Sequence, residues 1–289
     1  MHSKHPFTEA IDLEIIMLAA AHFDWDLAAM IEAIHNNPHH PLKNYPLDRI
    51  EVIHHFQQNH PDELEECLPA PARKAIKDAQ TLYEEMQATL HEDPDSLWGQ
   101  IYALILYEGN DPYSLVDEIV LGDSSSVEAL IEVLNNKHLF DPLYPGFGRS
   151  IPRIADALKG VGDEKAIAPL FEALLEQVTV IEDALIDALI FFQEPTRAFL
   201  LKELEHRPFS LRSTLAAKVL SFLKTNEVAI TAIDALCDSS IQAHPALADY
   251  LIGLLDALDP EIQHSFLTQL LEESHFTASQ RREIEVYLR

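Results

Sequence analysis

Histidine is the residue type in this chain whose number and clustering most invite chemistry. Six of the fifteen histidines fall within residues 35–60, HNNPHHPLKNYPLDRIEVIHHFQQNH. Imidazole titrates near neutral pH and is a common metal ligand. A helix-borne metal site needs two such ligands at i and i+4. His35 and His39 have that spacing, but Pro38 lies between them and Asn36-Asn37 marks a helix ending, so the pair does not share a helix face. His54 and His55 are adjacent, and on a helix they diverge by about 100°. The chain has no HExxH and no His-Asp doublet. His35, His60 and His138 each stand where a helix should end, and there imidazole suits the loose carbonyls and the dipole. His39 and His40 read as loop residues, and His54 as the flank of the stripe Leu47, Ile50, Ile53 and Phe56. The expectation is no metal and no cofactor.

Other chemistry is sparser. There is no P-loop, GxGxxG or GxSxG motif. Carboxylates such as Glu63, Glu65 and Glu66 read as solvated helix faces, with no acid/base couple among them. Any of Ser124, Ser125 and Ser126 suits a helix N-cap, and Trp25 and Trp98 lie among apolar neighbours. No catalytic residue is assigned.

The elements that carry these residues are helical. With 289 residues, 47% apolar, the chain can bury a sizeable core. Six of its eight glycines crowd between Gly109 and Gly162, which leaves long flanking stretches without the turns that many short strands require. This predicts an all-α fold. Cys67 and Cys237 suggest neither a disulfide framework nor a metal site. The start of the chain does not read as a secretory signal, and the most apolar run, ALIDALIFF, is short and contains Asp187. A cytoplasmic, soluble protein is expected.

The net charge is −28 and uneven. Residues 78–136 and 225–280 contain no Lys or Arg, against thirteen and nine acids, whereas 137–224 holds eleven basic and twelve acidic residues. Such a surface disfavours nucleic acid and anionic membranes and favours a protein partner with a basic surface.

From residue 151 the apolar residues recur at i, i+3, i+4, i+7. The quartets Ile154/Ala157/Leu158/Val161, Leu185/Ala188/Leu189/Phe192, Ala216/Val219/Leu220/Leu223 and Leu251/Leu254/Leu255/Leu258 are offset by 31, 31 and 35 residues. Each precedes a polar turn, near Gly162, Glu194, Asn226 and Pro260. A second amphipathic helix follows, clearest in Ile167/Leu170/Phe171/Leu174 and Ala229/Ala232/Ile233/Leu236. A hairpin with one apolar face cannot bury it alone, so copies at this period are expected to stack. The stretch IADALKGVGDEKAIAPLFEALLE, residues 154–176, resembles the HEAT-like repeat of the phycobilin-lyase type; the later units keep its period but lose its Gly-Asp turn. The resemblance implies an α-solenoid over 94–289, strongest over 150–275 and looser over 96–136. It also offers enzymes to weigh. The deoxyhypusine hydroxylases hold two irons through several His-Glu pairs, of which this chain has only His91-Glu92. The HEAT-like DNA glycosylases need a basic groove, at odds with a charge of −28. No motif separates a phycobilin lyase from a scaffold.

Residues 1–93 show no repeat. Helices are expected over about 8–20, 24–36, 47–59 and 71–90, joined by prolines, as an irregular helical N-terminal region or a cap on the repeats. Within 94–289, the loop 138–152, HLFDPLYPGFGRSIP, interrupts the pattern. Phe140, Tyr144 and Phe147 are costly to expose, so they either plug the core or form a recognition surface with Arg149 and Arg153. The expected function is a non-enzymatic protein-binding scaffold or adaptor. The alternative is a metal-dependent or lyase-type enzyme, or a subunit of one, on the same architecture.

Overall fold

The computed structural model describes residues 7–61, 63–109, 111–122, 125–176, 181–272 and 276–288, and among them it is all-helical, with no strand. Two compact units divide the chain, Met1–Val161 and Gly162–Arg289.

The first unit holds α1 (Ala10–Phe23), α2 (Leu27–Asn36), α3 (Leu47–Asn59), α4 (Ala70–Glu92), α5 (Leu97–Leu106), α6 (Tyr113–Val120), α7 (Ser126–Leu134) and α8 (Ser150–Val161). Local chemistry sets the boundaries. The Asp26 carboxylate accepts from the Ala29 amide at 2.9 Å to start α2, and Ser96 Oγ accepts from the Gly99 amide at 3.0 Å to start α5. Asp24, in the left-handed conformation at φ 49°, ends α1. For α7 the cap position falls to Ser125, but its side chain makes no cap bond; Ser126 is buried as the first helical residue, and Ser124 lies outside the described residues.

Helix α1 packs against α2, α3 and α4, while α5 packs against α4, α6, α7 and α8. The boundary expected at residue 93 therefore falls inside one compact unit. Two links account for this: α4 pairs with α5, and the segment after α7 folds back onto the N-terminal helices, where Leu143 and Tyr144 join the core built by Ile15, Ile16, Leu27, Met30, Ile50 and Ile53.

The second unit holds α9 (Ile167–Leu174), α10 (Glu182–Phe191), α11 (Glu194–Glu205), α12 (Leu211–Leu220), α13 (Asn226–Leu236), α14 (Pro245–Ile252), α15 (Pro260–Glu272) and α16 (Ala278–Val286). Alternate helices pack on one another. One row runs α10, α12, α14, α16 and the other α9, α11, α13, α15, with cross-row pairs such as α9–α10, α11–α12 and α13–α14. Every residue of the four quartets is buried except Val161, which is partly exposed. The fourth quartet departs from expectation because it does not lie on one helix. α14 stops at Ile252, and Leu255–Ala257 forms a 3-10 turn. Gly253 is a poor helix former, and its carbonyl is taken by Lys224 Nζ at 2.7 Å. All four leucines stay buried regardless.

Candidate functional site: an aromatic plug and a cationic cleft

The loop after α7 is built as a chain of tight turns. The Asn136 side chain accepts from the His138 amide at 3.2 Å, opening a 3-10 turn over Lys137–Phe140, and Asp141 Oδ1 accepts from the Leu143 amide at 2.9 Å. Three consecutive residues, Gly146, Phe147 and Gly148, then hold positive φ of 84°, 54° and 73°. Glycine adopts this region freely; phenylalanine does not, so Phe147 needs compensating contacts. They come from α1 and the loop before α3. The ring stacks on His22 at 4.0 Å between centroids and meets the edge of His40 at 5.5 Å. Tyr144 is 6% exposed and stacks on His138 at 4.4 Å.

The three rings singled out from the sequence thus form no common exposed surface. Tyr144 is buried, Phe147 is partly buried against the N-terminal core, and Phe140 is half-buried. The arrangement is that of a plug.

His22, on the last turn of α1, carried no signal in the sequence. In the structure Nε2 donates to the Pro142 carbonyl at 3.0 Å, tying α1 to the loop. Burial pulls its pKa down to about 4, against the raising effect of that bond, with nearby His40 lowering it further. His40 is 3% exposed, and burial lowers its pKa as well. Its Nδ1 accepts from the Leu42 amide at 3.2 Å, which leaves the ring proton on Nε2.

The two arginines have different surroundings. Arg153, on α8, is buried, and its guanidinium donates to the carbonyls of Leu104 (3.1 Å), Ile105 (3.4 Å) and Gly109 (3.4 Å), the C-terminal end of α5 and the turn beyond it. Arg149 is partly buried; its backbone amide donates to the Gly146 carbonyl at 2.8 Å, while its guanidinium has neither hydrogen bond nor ion pair among the described residues. Desolvation lowers the pKa of both, and the charge of Arg149 lowers that of Arg153 further.

Arg149, Pro152, Arg153 and Asp156 occupy i, i+3, i+4 and i+7 and form one wall of an open cleft of about 550 Å³. Facing them are the segment Pro38–Asn44, with His39, His40 and Lys43, and the residues Gly109, Pro112 and Tyr113. The sequence separates Lys43 from Arg149 by 106 residues and Gly109 from Arg149 by 40, and gives no sign that they meet.

The remaining histidines of residues 35–60 do not converge. His60 caps α3, stacks on Phe56 at 4.6 Å and approaches Glu63 at 3.1 Å, and His54 pairs with Gln58 at 3.0 Å. Among the described residues no three His, Cys, Asp or Glu side chains are placed to hold a metal ion. No helix among them is long and apolar enough to cross a membrane.

In the second unit, cations tie neighbouring helices together. Arg212 bridges Glu172 (2.7 Å) and Glu203 (2.8 Å) while lying 5.2 Å from the Phe171 ring centre; Lys218 meets Glu182 at 2.6 Å, and Lys224 meets Asp256 at 2.8 Å. Two aromatic residues there are exposed at equivalent positions. Phe191 (53% exposed) and Phe222 (59%) are separated by the same 31 residues that separate the second and third quartets, at the ends of the packed helices α10 and α12. No protein-family model, curated protein or solved structure matches the chain.

Proposed function

We propose that this chain is a HEAT-like helical-repeat interaction protein, a non-enzymatic scaffold that binds a protein partner. The observation that carries the reading is the pair Phe191 and Phe222. Large apolar side chains left more than half exposed 31 residues apart, at the ends of packed helices, are unfavourable in water and suited to cover by a partner. The alternate packing of α9 through α16 and the offsets near 31 residues support the solenoid architecture. The acidic stretch 225–280 favours a partner with basic groups around an apolar centre.

The test is a double substitution, F191S with F222S, compared with the unmutated chain in affinity capture from the native source, with captured proteins identified by mass spectrometry. A specific protein lost by the double variant, at unchanged melting temperature and in a salt-sensitive way, is the expected result. An identical set of captured proteins for both chains would sink the proposal.

A further inference from the structure

The cleft on the first unit concentrates positive charge in a chain whose net charge is −28. Arg149, Arg153 and Lys43 line it together with His39 and His40; among the described residues the one carboxylate in its wall, Asp156, is already paired with Lys159 at 2.8 Å. Glu108 lies near His40 and acts on it through its charge.

The three cations have not been neutralised by carboxylates. Among the described residues the Arg153 guanidinium donates only to backbone carbonyls, Lys43 Nζ donates to the Pro38 carbonyl at 2.8 Å, and the Arg149 guanidinium has no hydrogen-bond or ion-pair partner. This contrasts with Arg212, Lys218 and Lys224, each held by a carboxylate within 2.8 Å. Carbonyl dipoles satisfy donors but leave the net charge in place, and desolvated like charges side by side are unfavourable until an anion joins them.

We propose that this cleft binds the phosphate group of a phosphate monoester, with Arg149 as the principal ligand, Lys43 closing from the opposite wall and Arg153 and the Nε2–H of His40 behind them. The charge selects the class. A monoester carries about −1.5 to −2 at neutral pH, which matches several facing cations better than the single charge of a carboxylate. Arg149 offers an unoccupied planar fork of donors suited to phosphate oxygens. The exposed Tyr113 ring at the cleft and the open volume leave room for the group esterified to the phosphate. The proposal is independent of the protein-binding surface at Phe191 and Phe222, which lies on the other unit.

The experiment is calorimetric titration of the full chain at constant ionic strength. The probes are phenyl phosphate, a phosphoserine heptapeptide, inorganic phosphate and, as control, acetate. Saturable binding of the phosphate probes and none of acetate is expected. R149Q and K43Q, both at positions with solvent access, should each weaken binding at least about tenfold, the loss of one charge-assisted contact, with melting temperature unchanged. K202Q, whose lysine is exposed on α11 in the other unit, should bind as the parent chain does. Tighter binding of the peptide would identify a phosphorylated chain as the source of the phosphate, and tighter binding of phenyl phosphate a small molecule; either supports the site. Three results would overturn it: no saturable binding at about 10 mM of any phosphate probe, equal binding of acetate, or R149Q and K43Q that bind like the parent.

Discussion

Phe147 lies face to face with His22, ring centroids 4.0 Å apart and planes 27° apart, although 125 residues separate them in the chain. The contact holds Phe147 in a left-handed conformation and shields one face of an imidazole from water. One residue is backbone-strained and the other hard to protonate, so the pair makes both properties testable.

Stability should fall with acid through His22. Its folded pKa of about 4 lies below the ordinary 6.5, so the neutral ring is favoured by the fold. The contribution is complete above pH 6.5 and is lost as pH falls towards 4, with a slope of up to about 1.4 kcal/mol per pH unit. Urea unfolding across this range should show a steeper decline for the parent chain than for H22F, and parallel curves would contradict the assignment.

Substituting Gly146 should be costly. Its φ is 84°, and a Cβ there would lie 2.9 Å from the Ile105 carbonyl oxygen, a backbone atom that cannot swing away. G146A is expected to lose about 1–3 kcal/mol. A melting temperature equal to that of the parent would show that the loop relaxes at no cost.

The triple substitution F140S, Y144S and F147S should destabilise the first unit rather than remove an exposed surface. Each fully buried aromatic lost costs about 3–5 kcal/mol, with Phe140 contributing least because it is half-buried. Denaturant unfolding monitored by circular dichroism checks this. A triple variant with parental stability would return the rings to the role of a recognition surface.

The bridge made by Arg212 should couple α9 and α12 measurably. Its pKa is raised, first by the hydrogen bond to Glu203, with Glu172 adding to it. A double-mutant cycle with R212M and E172Q should give a coupling of up to about 1 kcal/mol, and this should shrink with added salt because the pair is partly solvated. Zero coupling at low salt would show that the two side chains act independently.

The sequence made the helices legible where apolar spacing was regular and punctuation strong. The expected helix over 47–59 is found at Leu47–Asn59, between Pro46 and His60, and the turns near Gly162, Glu194, Asn226 and Pro260 all fall between helices. Periodicity reports which face is buried and says little about where a helix stops, so the break at Gly253 inside the fourth quartet went unseen. The candidate site was legible only in part. Composition marked the loop as unusual, and plugging the core was one of its two readings. His22 gave no signal because a histidine ending a helix is ordinary, and its burial depends on Pro142 arriving from 120 residues away. The joining of Arg149 with Lys43 is likewise a tertiary fact. Phe191 and Phe222 were hidden by the opposite effect, since an apolar residue in an apolar helix reads as core.

The reach of the aromatic plug has a consequence for the order in which the molecule can be made. Helices α1 to α4 emerge during synthesis well before Leu143, Tyr144 and Phe147, which complete their core. Until then the surface those side chains will cover stays open, and closing it forms a loop of more than a hundred residues. Such long-range closure slows folding and prolongs the exposure of apolar groups. The first unit can therefore finish folding only after the segment between α7 and α8 has left the ribosome, so a nascent chain stalled between α4 and α7 would present an unfinished core to chaperones and proteases.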